Sequence, residues 1–213
     1  SALYSAGNAD KQHPMVVDMN GNSLSLESAS TNKRAATIYV GDNQSVEIKN
    51  AAGKTLQIKA SNTDTRAANG IYMDANANLK LAGPVLIDQV SAKGDAADGI
   101  QMNGTIGATS TLTIDGPLTI RNVTGRETKM AGDGRNLAGI DIVADNDVVT
   151  VNGSVDIQGL KGSALKIKGQ DAVLSVGGGT ITAAEDASHS KRYAAVYAEK
   201  GTVNINMQSG AAG

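Results

Sequence analysis

The sequence predicts an all-β chain wound as a parallel β-helix, a solenoid with three short strands in each of about six to seven turns, in one domain over residues 1–213. Three observations predict it. Pairs of apolar residues in period-2 alternation recur in sets of three, the longest connections follow the third member of a set, and glycine punctuates the same place in successive sets.

Taken in chain order, "MVVDMNGNSLSLE" reads as a degenerate first turn. The next set supplies Ile38 and Val40, Val46 and Ile48, then Leu56 and Ile58. "GIYMDANANLKLAGPVLIDQV" follows with Ile71 and Met73, Leu79 and Leu81, Val85 and Ile87. Ile100 and Met102, Leu112 and Ile114, Leu118 and Ile120 form the fourth set, and Ile140 and Ile142, Val149 and Val151, Val155 and Ile157 the fifth. Leu165 and Ile167, Leu174 and Val176, and Ile181 form another, and Val196, Val203 and Ile205 a last partial one. Alternation of this kind turns one side of a strand inward and the other toward water.

The leading positions Ile38, Ile71, Ile100, Ile140, Leu165 and Val196 are spaced by 33, 29, 40, 25 and 31 residues. Such a spread suits a coil that tolerates insertions at one corner, and the variation is expected almost wholly after the third strand. "LAGP", "IDGP" and "VNGS" join the second strand to the third, placing Gly83, Gly116 and Gly153 at a bend that needs a positive φ or a close backbone approach. Pro84 and Pro117 open the third strand, where a missing donor does least harm. An antiparallel meander would use the same segments, since Asn-Gly and Asp-Gly between alternating runs also mark hairpins. The coil accounts for strands arriving in threes; the meander does not.

Composition narrows the class further. Phe, Trp and Cys are absent and five Tyr are present, so the interior must be thin and filled by small aliphatic side chains. Disorder is excluded by the regular Val, Ile and Leu pattern and a net charge of only −2. The same balance gives no footing for nucleic-acid binding. No apolar run reaches the roughly 20 residues that span a bilayer, so no membrane insertion of this segment is expected.

With these residues in view, the chain resembles the passenger domains of Gram-negative autotransporter (type V secretion) adhesins. The likeness rests on the "GIYM", "GIQM" and "AGIDI" openings, the "TLTIDG" and "VVTVNG" second strands and the missing Cys, and runs over essentially the whole chain. It implies a right-handed β-helix, secreted to the bacterial surface and anchored through an outer-membrane barrel outside this segment. The chain is then expected to be an excised piece of a longer passenger, with uncapped strand edges at both ends.

The sequence offers little catalytic chemistry. His13 and His189 read as exposed loop residues. "AAGKT" lacks the first glycine of a phosphate-binding loop and reads as a turn, and one "GGGT" does not make a calcium-binding roll. Asp141, Asp145 and Asp147 read as solvated turn residues rather than a cation site. No cofactor or metal is expected. A β-helical polysaccharide lyase or hydrolase is the enzyme alternative; the absence of Trp and Phe, the usual sugar platforms, argues against it.

Surface columns carry the functional reading. In the coil, Tyr39, Tyr72, Gln101, Asp141, Lys166 and Tyr197 stack on the outer side of strand one, and Tyr39 on Tyr72 is either a contact spot or ordinary ladder stabilisation. Loops after strand three carry Lys33, Arg34, Arg66, Lys93, Arg126, Lys129, Arg135, Lys191 and Arg192, which successive turns can align into a basic stripe. Asp64, Asp95, Asp98, Glu127, Asp133, Glu185 and Asp186 share those loops, so a mixed-charge solvated corner competes with a glycan groove. The expected function is adhesion, to host-surface glycans such as glycosaminoglycans or to matrix proteins, with the loop 121–138 and the basic corner as contacts. Self-association with an identical passenger on a neighbouring cell is the second reading, through Thr113, Thr150, Ser175 and Asn204.

Overall fold

The computed structural model describes residues 1–31, 33–104, 107–125, 137–160, 162–183 and 194–205. Among these, twenty strands wind into a parallel β-helix of three sheets. The strand-one sheet has seven members, from Leu3–Ser5 to Val196–Ala198; the strand-two sheet has seven, from Met15–Asp18 to Thr202–Ile205; the strand-three sheet has six, from Leu24–Ser30 to Gly179–Ala183. Every pairing is parallel and links strands one turn apart. The antiparallel meander is thereby excluded.

Register follows the apolar columns. Leu3, Ile38, Ile71, Ile100, Ile140, Leu165 and Val196 pair in succession up the strand-one sheet. Val46, Leu79, Leu112, Val149 and Leu174 do the same in the second sheet, and Leu56, Val85, Leu118 and Val155 in the third. From Ile38 to Val176 these side chains are fully buried in one continuous core. A one-residue slip would turn each column into water, which is why the register is so strongly set. The first turn begins earlier than "MVVDMNGNSLSLE", because Leu3–Ser5 supplies its first strand.

Glycine holds the corner between the second and third sheets, by two different means. Gly83 adopts φ +78°, whereas at Gly116 a Cβ would stand 2.3 Å from the backbone of Gly83. Asparagine takes the left-handed turn at the corner between the first and second sheets: Asn43, Asn76 and Asn146 have φ of 60°, 54° and 60°. Asn76 Nδ2 donates to Asn43 Oδ1 at 2.9 Å, so neighbouring turns also bond through these side chains.

Connection lengths depart from the expectation in three places, the first being residues 6–14 between strands one and two of the first turn. Six residues, 50–55, join strands two and three in the second turn where three, 82–84, suffice in the next, and the extra length holds "AAGKT". That segment is a turn, with Ala52 and Gly53 at φ 49° and 76°. Residues 103–110 likewise lengthen the corner after Met102. Strand three is longer than its apolar pair: Gln89 enters at φ 60° as a bulge, after which Val90 returns to the core beside Ala60 and Val123.

Candidate functional site

The corner between the third and first sheets brings together three of the predicted basic residues, Lys33, Arg34 and Arg66. Lys33, Arg66 and Asp95 each stand two residues before the paired Ala35, Ala68 and Ala97, so they occupy successive rungs, about 4.8 Å apart. With Arg34 and Ala67 they line a cleft of about 450 Å³. Lys93 is exposed at the start of the same loop, outside this lining. No hydrogen bond or ion pair engages the side chains of Lys33, Arg66 or Lys93 among the described residues. Arg126, Lys129, Arg135, Lys191 and Arg192 lie outside the described residues.

Arg34 is held rather than free. Its guanidinium donates to Gln101 Oε1 at 2.7 Å and to Asn69 Oδ1 at 3.5 Å, and lies 4.4 Å from the centre of the Tyr72 ring. Beneath the loops, the buried Asn62 acts as a clamp that the sequence did not reveal. Its Nδ2 donates to the carbonyls of Lys33 and Ala67 at 2.7 and 3.1 Å, while its Oδ1 accepts from the Asp64 amide at 3.0 Å. The Lys93 amide donates to the Asn62 carbonyl at 3.0 Å, and a Cβ on Gly94 would stand 2.6 Å from Thr65. The three loops are therefore packed backbone to backbone, which fixes the backbone positions from which their charged side chains project.

Tyr39 and Tyr72 stack as the column predicts, with centroids 5.7 Å apart and planes 12° apart, and Tyr4 extends the stack at 4.9 Å. Tyr72 is only 6% exposed and its hydroxyl accepts from Asn103 at 2.9 Å, so it offers a ligand almost no surface. Tyr39 donates its hydroxyl to Asp74, and that hydrogen bond, together with burial, raises its pKa. Both rings brace the ladder.

Further along the same sheet lies a group of buried polar residues, Asp141 and Lys166 on the tyrosine column and Asp98 three positions before it. Asp141 Oδ2 pairs with Lys166 Nζ at 2.9 Å, and both residues are buried. Asp98 accepts from the Ala138 amide at 3.0 Å and from Asn69 at 3.3 Å. Burial pushes the Asp98 carboxyl well above its ordinary value, with the neighbouring Asp141 adding to the effect. Asp141 is raised too, by burial, against the opposing pull of Lys166. In the next corner Asp147 is fully buried with one oxygen accepting from the Ser110 amide at 2.7 Å, and burial lifts its pKa to about 6.

These positions correct two expectations. Asp141 and Asp147 are not solvated turn residues, and Asp98 is not part of a solvated corner, because the tight stacking of turns removes all three from water. Asp145 accepts from the Gln170 amide at 2.7 Å, a turn contact between neighbouring rungs. His13 is an exposed loop residue 3.3 Å from Asp10, and His189 lies outside the described residues.

Comparison with known proteins adds no likeness: no family model, curated protein or solved structure matches the chain.

Proposed function

We propose that this chain is a segment of a secreted, surface-displayed adhesin of the autotransporter passenger kind, which binds host-surface glycans or matrix proteins and catalyses no reaction. One observation carries the reading: Lys33, Arg66 and Lys93, exposed and without side-chain partners among the described residues, sit on loops packed backbone to backbone beside an open cleft. A cation kept unpaired on a rigid support costs little in stability and is poised for an anionic partner. The carboxylates an enzyme would need at the neighbouring column, Asp98 and Asp141, are 2% exposed. That supports binding over hydrolysis or elimination.

The test is binding of the purified chain to arrayed glycans and adsorbed matrix proteins, alongside Lys33→Gln/Arg66→Gln. Binding that the double variant loses while remaining folded supports adhesion through this corner. Failure to bind any of them overturns it.

A second reading, self-association, has its own observation. Thr113, Thr150, Ser175 and Asn204 form an in-register ladder of four uncharged polar side chains on the strand-two sheet. Sedimentation equilibrium with Thr150→Lys separates it from the first, since only self-association responds to that charge.

A further inference from the structure

The cleft at residues 33–34, 66–67 and 95 is not uniformly basic, and its one acid is placed. Asp95 Oδ1 accepts from the adjacent Ala96 amide at 2.8 Å, and the residue shares the lining of the cleft with Lys33 and Arg66, so one carboxylate oxygen is engaged by the backbone and the other makes no hydrogen bond among the described residues. Along the helix axis the order is thus cation, cation, carboxylate, one rung apart, with the anchored Arg34 beside the first. An acceptor such as Asp95 repels a second anion and takes a hydroxyl proton donor instead.

We infer that this cleft binds one acidic sugar residue bearing a single carboxylate and free hydroxyls, a hexuronate within a glycan chain, and disfavours densely sulfated chains. The inference rests on the adhesion reading above and names the ligand chemistry of that site. The carboxylate lies against Lys33 and Arg66, whose donors make charge-assisted hydrogen bonds to it. A ring hydroxyl points one rung further, to Asp95. The cleft volume of about 450 Å³ falls in the range of roughly 300–1,000 Å³ typical of small-ligand sites and admits a single sugar with its linkages. Because Asn62 and Gly94 pack the loop backbones in advance, the ordering left for the ligand to drive is that of the exposed Lys33 and Arg66 side chains.

The discriminating experiment is calorimetric titration with three oligosaccharides of equal length: hyaluronan, with one carboxylate per disaccharide, heparin, densely sulfated, and a neutral dextran. Hyaluronan is expected to bind tightest and dextran not at all. Arg66→Gln and Lys33→Gln each weaken hyaluronan by roughly tenfold or more, the size of one lost charge-assisted bond. Asp95→Asn weakens hyaluronan several-fold while strengthening heparin, so the preference narrows or reverses. Lys54→Gln, at the opposite corner, changes neither.

Tighter binding of heparin than hyaluronan by the unaltered protein overturns the inference, as does an Asp95→Asn variant whose preference is unmoved. Either result leaves adhesion through the corner standing. If none of the three binds and the wider glycan and matrix panel is also negative, the adhesion reading itself has failed.

Discussion

Two groups of charges on one side of this β-helix meet opposite fates. Lys166 and Asp141, on the outer column of strand one, are sealed from water and paired at 2.9 Å through Asp141 Oδ2. Lys33 and Arg66, on the adjoining corner, are exposed and make no side-chain contact among the described residues. The column aligns complementary residues on successive rungs, so its charges are consumed inside the molecule; the corner aligns like charges with one acid beyond them, so its charges are left for something else. A stacked architecture decides between structure and binding by which residues the register sets side by side.

The largest expected effect comes from breaking the sealed pair. Lys166→Met leaves Asp141 buried without its cation, and such a loss costs about 3–5 kcal/mol. Removing both charges, as Lys166→Met/Asp141→Leu, is expected to recover most of that, because two well-packed apolar groups replace a pair whose desolvation was expensive. Urea unfolding midpoints of the single and double variants measure it; equal losses in both would show the pair contributes only volume.

Gly116→Ala tests the corner glycines. A Cβ there meets the Gly83 backbone at 2.3 Å, which neither turn can relieve without shifting its neighbour, and about 1–3 kcal/mol of overpacking strain is expected. Gly53→Ala is the useful contrast: nothing lies within 4 Å, but φ is +76°, so conformational strain alone is measured there.

Much of this fold is legible in the sequence, and the reason is physical. Ile, Val and Leu at alternate positions have one way to be buried in a thin interior, so Ile71, Ile100 and Ile140 announce their register. Strand three was harder to read because Gln89 and Asn122, polar residues in a left-handed conformation, shift the alternation by one and make Val90 and Val123 look out of phase. The buried acids were illegible for another reason: Asp and Asn are default turn residues, and burial arises from the turn stacked above, 25 to 40 residues away in sequence. At the corner the cations are visible, but the clamp is not, since one Asn at a strand end carries no signal until its carbonyl partners, Lys33 of the neighbouring loop and Ala67 of its own, are known.

The sealed region also responds to pH. Asp147 titrates at about 6 in the folded chain against 3.8 when exposed, so the folded form binds the proton more tightly and stability rises as pH falls. The penalty is absent below about pH 4, grows between 4 and 6 and is complete above 6; Asp98 and Asp141, raised by burial, act in the same direction. Asp88 opposes them. Although burial works against it, hydrogen bonds from Asn122 and Arg121 hold its carboxyl below the ordinary value, so its contribution is lost only in stronger acid. The chain is therefore expected to gain about 1–2 kcal/mol from Asp147 alone between pH 7 and pH 4.5, allowing for partial screening by solvent. Asp147→Asn removes that slope, and melting temperatures across the range would show a flat difference if Asp147 were not responsible.

The smallest effect is expected at the corner, and its smallness is what distinguishes the two regions. Arg66→Gln and Lys33→Gln remove exposed charges that satisfy no buried group, so each should change stability by less than about 0.5 kcal/mol. Arg34→Gln should cost more, because its guanidinium covers Tyr72 and bonds Gln101 and Asn69. Thermal unfolding of the three variants orders them. If Arg66→Gln destabilised as strongly as Arg34→Gln, the corner would be a structural network like the column beside it, and its charges would not be available to a ligand.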